Sequence, residues 1–139
     1  MNIAQKDSGE LFSDAWMKGF QGAWNAEKDL AAALQAIGFN SNIGYGYKGE
    51  AQPRGVIVVE NGQVTSAGAY NGETLNWDLR ADPDSWAKWV KDGLGMMGLG
   101  MAYTTGKIKF QVGDYTAMIK DPRMAGPFIK SFSVMGRVS

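Results

Sequence analysis

Two Asn-Gly dipeptides, Asn61-Gly62 and Asn71-Gly72, constrain this chain more than any other feature. Asn-Gly accepts the positive φ angles at both central positions of a type I′ turn, whose twist matches that of a tight hairpin. The segments around them have the period of strands. "GVIVV" precedes the first dipeptide and "QVTSAGAY" follows it. "ETLNWDLRA" follows the second, with Leu75, Trp77 and Leu79 facing one way and Asn76, Asp78 and Arg80 the other. Two such turns in succession predict an antiparallel meander. "NIGYGYKG" upstream adds a strand that alternates with glycine, and Gly44, Gly46 and Gly68 suggest bent strands or close backbone approach.

The segments on either side have helical spacing. Phe12, Trp16, Phe20 and Trp24 step by four, flanked by Leu11, Ala15 and Ala23, and form a wide aromatic ridge. Such a ridge belongs in the core or at a subunit interface. A second helix follows, with Asn25 as a cap, Leu30, Ala33, Leu34 and Ile37 on one face, and Gly38 to end it. Beyond the strands, "DPDSWAKWVKDGL" offers Asp82 as N-cap, Pro83 at the first helical position, and Trp86, Trp89, Val90 and Leu94 on one face. "KIKFQVGD" alternates again, with Ile108, Phe110 and Val112 against Lys107, Lys109 and Gln111. Asp114 opens a short helix, and Asp121-Pro122 restarts it with Met124, Phe128, Phe132 and Met135 on its apolar face. The order α-α-β-β-β-β-α-α-β-α describes one α+β domain over residues 1–139, with a largely antiparallel sheet.

Residues 93–107, "GLGMMGLGMAYTTGK", pose the main functional question. Gly93, Gly95 and Gly98 spell G-x-G-x-x-G, and Gly100, Gly106 and Lys107 approach a P-loop. The dinucleotide fingerprint works only after a strand and at the start of a helix, where backbone N–H groups meet the pyrophosphate. Here the preceding residues are helical. The P-loop spacing is also wrong, with five residues between Gly100 and Gly106 and Ile108 where Ser or Thr should bind magnesium. The segment reads instead as apolar and deformable. Methionine fills irregular gaps and suits promiscuous apolar surfaces, and each helical glycine costs roughly 1 kcal/mol against alanine. A yielding segment at the mouth of a cavity explains that cost; a loose helix junction packed with methionine is the plainer alternative.

Composition narrows the chemistry further. Fourteen basic and fourteen acidic residues cancel without clustering, which argues against a nucleic-acid partner. The chain has no cysteine and no histidine, so thiol chemistry and the best proton-transfer side chain near neutral pH are both excluded. No metal site or cofactor is expected. "MNIAQKDSGE" has no apolar core of a signal peptide, and no apolar run approaches a transmembrane segment. A soluble cytoplasmic protein is the expectation.

At "TGKIKFQVGDYTAMIK" the chain resembles the sterol carrier protein type 2 family, whose strand of the form G-K-[IL]-K-x-x-G-D precedes a helix carrying Ala and Met. Gly106, Lys107, Ile108, Lys109, Gly113 and Asp114 stand at those places, with one residue (Gln111 or Val112) extra. "LNWDLRADPDSWAKWV" is similar to the family's strand, acidic turn and Trp-bearing helix. "DAWMKGFQGAWNAEKDL" looks like the opening helices of bacterial members, with Trp16 and Asn25 as anchors. The resemblance spans nearly the whole chain in order. It implies a five-stranded sheet covered by helices, with a hydrophobic tunnel between the sheet and the C-terminal helices. It also implies binding of sterols, fatty acyl groups or similar lipids without turnover. The ending "GRVS" lacks the peroxisomal address of eukaryotic carriers, which points to a free-standing prokaryotic-type member.

Candidate ligand-binding residues are Trp86, Trp89, Met97, Met101, Phe110, Met118, Ile119, Phe128, Ile129 and Phe132. They offer large apolar surfaces that can repack, as a ligand cavity requires. Burial at about 25 cal/mol per Å² makes a modest lipid chain worth several kcal/mol. Lys107 and Lys109 alternate outward and read as solvated, with steering of an acidic head group as a second use. Two other functions compete with a carrier. One is an accessory or structural subunit that associates with an enzyme or with itself through the aromatic helix face. The other is an enzyme on an apolar substrate using Asp114 or Tyr115, for which no carboxylate pair is spaced.

Overall fold

The computed structural model describes residues 9–138. Its elements are α1 (Asp14–Ala26), α2 (Lys28–Ala36), β1 (Ser41–Tyr47), β2 (Gly55–Glu60), β3 (Gln63–Ala69) and β4 (Trp77–Ala81). They continue as α3 (Pro83–Asp92), α4 (Met96–Thr104), β5 (Ile108–Val112), α5 (Tyr115–Ile119) and α6 (Pro122–Met135). The five strands form one sheet in the order β3-β2-β1-β4-β5. The α+β order expected from periodicity is present, with the last helical block divided at Asp121-Pro122 into α5 and α6.

The two Asn-Gly dipeptides behave differently. Asn61 (φ 52) and Gly62 (φ 87) make the tight turn between β2 and β3. The second dipeptide does not extend a meander: β4 pairs with β1, and in parallel, with Ile43 opposite Trp77 and Tyr45 opposite Leu79. The other three pairings are antiparallel. The reason lies in the glycines of β1. A Cβ on Gly44 would stand 2.9 Å from Leu75 and 3.1 Å from Pro53, and one on Gly46 would stand 2.8 Å from the Pro53 backbone. That face of β1 is therefore thin enough for residues 70–76 to cross it. Asn42 and Asn76 hold the crossing, through Asn42 N–H to Asn76 Oδ1 at 2.8 Å and Asn76 N–H to the Asn42 carbonyl at 2.9 Å. Connections of this kind are invisible to strand periodicity.

The crossing also buries a pair that alternation marks as solvated. Asp78 and Arg80 are 4% and 3% exposed, joined by two hydrogen bonds of 2.6 and 3.0 Å. Arg80 spends a third donor on the Glu50 carbonyl at 2.8 Å. A buried charge pair with further hydrogen bonds to backbone carbonyls is the arrangement that limits the desolvation cost.

The helices cover the other face. Phe12, Trp16, Phe20 and Trp24 are all buried, so the aromatic ridge lies against the sheet and leaves no exposed aromatic face there for a partner. Phe12 precedes α1 and does not belong to it. It adopts φ 64 while its ring packs edge-on to Trp86 at 4.9 Å and stacks on Tyr45 at 5.6 Å. Ser13 caps α1 by accepting from the Trp16 N–H. Asn25 does not cap α2, because α1 runs through it to Ala26. Glu27 occupies the junction, and Asn25 instead turns its amide to the backbone of Val64 on edge strand β3. Asp82 and Pro83 begin α3, Asp114 caps α5 and Asp121 caps α6 as their spacing predicts.

Candidate functional site

Residues on one face of a strand repeat every second position, which puts Ile43 and Tyr45 of β1 beside Trp77 and Leu79 of β4. α5 and α6 lie across these four side chains. Met118 comes from α5, and Met124, Pro127, Phe128 and Ser131 come from α6 at helical spacing. Trp24, Leu34 and Phe39 close the far side. Together these residues line a narrow seam of about 30 Å³, walled almost wholly by carbon and sulfur. This is about the volume that one water molecule takes in the liquid. Where a hydrophobic tunnel is expected between sheet and C-terminal helices, the structure has only this narrow seam.

Trp77, Met118 and Met124 also line an open cleft of about 410 Å³ on the outside, with Asn76, Asp114 and Asp121 on its rim. These three side chains thus stand between the seam and solvent. Two of them are unbranched thioethers, which change rotamer at little cost. The α6 wall has a weak point of its own: Pro127, inside the helix and preceded by Gly126, has no N–H to give to the carbonyl one turn back.

The electrostatics of the lining are simple. It contains no Lys, Arg, Asp or Glu. Its polar groups include the Ser131 hydroxyl, which donates to the Phe128 carbonyl, and the Trp24 indole, which donates to the Gly62 carbonyl at 3.0 Å. Tyr45 is 1% exposed, and burial pushes its phenol well above the ordinary tyrosine value. It stays protonated at any physiological pH. Among the described residues no cluster of three or more acidic side chains could hold a metal. Asp114 is occupied as a cap, accepting from the Ala117 N–H at 3.0 Å.

The candidate residues read from the sequence fall into four groups. Met118 and Phe128 line the seam. Trp86, Trp89 and Phe132 form an adjoining aromatic cluster, with Trp86 stacked on Phe132 at 6.2 Å and its indole donating to the Gly46 carbonyl at 2.8 Å. Phe110, Ile119 and Ile129 are half-buried against the core, Phe110 lying 5.9 Å from Phe128. Met97 and Met101 face solvent, 89% and 67% exposed, because α4 points Leu99 and Ala102 inward instead. The glycines before α4 join it to α3, so no strand leads into G-x-G-x-x-G. Sequence reasoning missed the other ten lining residues, among them Trp24 and Trp77, expected in the core, and Ile43, Tyr45, Met124 and Ser131. The alternation of Ile43 and Tyr45 with glycines, and the spacing of Met124 with Phe128, were the available signals.

No family model and no curated protein sequence matches the chain. Solved structures do. The crystal structure of sterol carrier protein 2 superposes with a TM-score of 0.74 at 18% identity, covering 94% of this chain and 100% of that one. A conserved hypothetical protein of Thermus thermophilus, described as possibly a sterol carrier protein, gives 0.69 at 18% identity over 94% of this chain and 90% of its own. A ubiquinone synthesis protein, UbiJ-SCP2, gives 0.57 at 13% identity over 86% of each chain.

Proposed function

We propose that this chain, which has the sterol carrier protein 2 fold, is a non-catalytic carrier of apolar small molecules. The observation that supports this most is the seam beneath α5 and α6. It is carbon- and sulfur-lined and charge-free, with Met118 and Met124 shared between it and the outer cleft. A ligand site is concave and mostly apolar with few polar groups, and the seam has that character. The neighbours named as sterol carriers share the fold that sets those helices over the sheet.

At about 30 Å³ the seam must widen to admit a ligand. Met118 and Met124 can swing, and α6 can bend where Pro127 leaves a hydrogen bond unmade. Burying apolar ligand surface at about 25 cal/mol per Å² supplies the driving force for that opening. No step of bond chemistry is called for. The lining has no carboxylate, amine or thiol, and its single titratable side chain is a phenol held protonated.

Native mass spectrometry of protein isolated without detergent, followed by titration with 2-ethylnaphthalene read by tryptophan quenching, tests this reading. A co-purified apolar adduct, or saturable quenching, is the expected result. A bare mass together with no saturable quenching contradicts it.

A further inference from the structure

The Tyr45 hydroxyl is the unexplained group in this interior. Tyr45 is 1% exposed and lines the seam, yet its hydroxyl has no hydrogen-bond partner among the described residues. The Tyr45 ring packs among other rings, with the centroids of Phe12 at 5.6 Å, Phe20 at 5.8 Å and Trp86 at 6.2 Å from its own. The neighbouring polar side chains bond elsewhere. The Trp86 indole donates to the Gly46 carbonyl, and the Ser131 hydroxyl donates to the Phe128 carbonyl. Buried hydroxyls are almost always paired, and leaving one unpaired destabilises the fold. Phenylalanine would make the same ring contacts without that loss.

We propose that Tyr45 selects the ligand: its hydroxyl donates a hydrogen bond to a neutral oxygen acceptor, so the seam prefers uncharged apolar molecules that carry a carbonyl, ether or ester oxygen. The proposal rests on the reading of the seam as a ligand site. Two features fix the charge of the ligand's polar end. With no Lys or Arg in the lining, an ionised carboxylate would enter without a counter-charge, at a large desolvation penalty. A plain hydrocarbon would leave the hydroxyl as unsatisfied as before. A neutral oxygen satisfies it and brings no charge. Burial raises the phenol's pKa, so it remains a donor and not a phenolate across the physiological range.

The test compares 2-acetylnaphthalene with 2-ethylnaphthalene, which share a skeleton and differ by the carbonyl oxygen, in the intact chain and in Tyr45→Phe. The ketone-to-hydrocarbon affinity ratio should fall about tenfold in the variant, the loss of one neutral hydrogen bond. Hydrocarbon binding should be unchanged or tighter, and urea denaturation should show a variant at least as stable as the parent. The infrared carbonyl stretch of the ketone bound to the parent should lie at lower wavenumber than when bound to the variant. An equal ratio in both proteins, with the stretch of a free carbonyl in the parent, overturns the role of Tyr45 and leaves the carrier reading standing. Failure of both probes to bind the parent overturns the carrier reading and this inference with it.

Discussion

The carboxamide of Asn25 exchanges two hydrogen bonds with the backbone of Val64: Nδ2 donates to its carbonyl at 2.9 Å and Oδ1 accepts from its N–H at 2.8 Å. Val64 sits on edge strand β3, beside the register shift between Val58 and Val59, where the ladder cannot satisfy every backbone group. The end of α1 thereby acts as the missing partner for the sheet edge.

Replacing Asn25 by Ala removes the acceptor for a buried N–H, while Gln21 still donates to the carbonyl at 3.0 Å. The expected loss is about 1–3 kcal/mol in urea denaturation. Asn25→Asp keeps the acceptor and should lose less. Equal stability of the Ala variant and the parent would contradict the account.

Asp78 and Arg80 form the second test. Asp78→Ala leaves the guanidinium buried without its partner and should cost about 3–5 kcal/mol. Replacing both by apolar residues of similar size should recover most of that loss, as a double-mutant cycle would show. Additive losses would mean that the two side chains act separately.

Much of this fold is legible in the sequence because it depends on local chemistry. The four-residue steps of α1, the Asp-Pro starts of α3 and α6, and the Asn61-Gly62 turn are each specified within a few positions. The parallel β1–β4 pairing is not, since it follows from Pro53 and Leu75 settling on Gly44 and Gly46 from elsewhere in the chain. The same covering hides Asp78 and Arg80, whose alternation looks solvated. At the site, composition misled where spacing would have helped. Met97 and Met101 have the chemistry of a lining, but Leu99 and Ala102, three apart, are the residues that α4 buries. Met118 and Phe128 were legible because they lie on the inward faces of α5 and α6. Tyr45 was concealed among glycines whose role belongs to the opposite face of β1.

Glu27 predicts an acid dependence. It accepts from Arg137 and lies 3.8 Å from Lys130, tying the α1–α2 junction to α6 and to the residues just after it. The hydrogen bond from Arg137, with the charges of Arg137 and Lys130, holds its carboxyl below the ordinary glutamate value against the opposing effect of burial. A depressed carboxylate contributes stability that is present above its unfolded value, about 4.3, and is lost as pH falls through the folded one. Thermal melts should therefore drop below about pH 4.3, and Glu27→Gln should make that drop shallower. Parallel curves for the two proteins would show that the contact contributes nothing.

The eight methionines supply the most direct reporters on the seam. In the chain labelled with ¹³C at the methionine methyls, a naphthalene ring seated between sheet and helices would shift Met118 and Met124, which wall the seam. Met97 and Met101, exposed on α4, would stay where they are. Titration with 2-ethylnaphthalene should thus move the first pair saturably and leave the second unmoved. Shifts confined to Met97 and Met101, or none at Met118 and Met124 up to the solubility limit of the probe, would contradict a ligand site beneath α5 and α6.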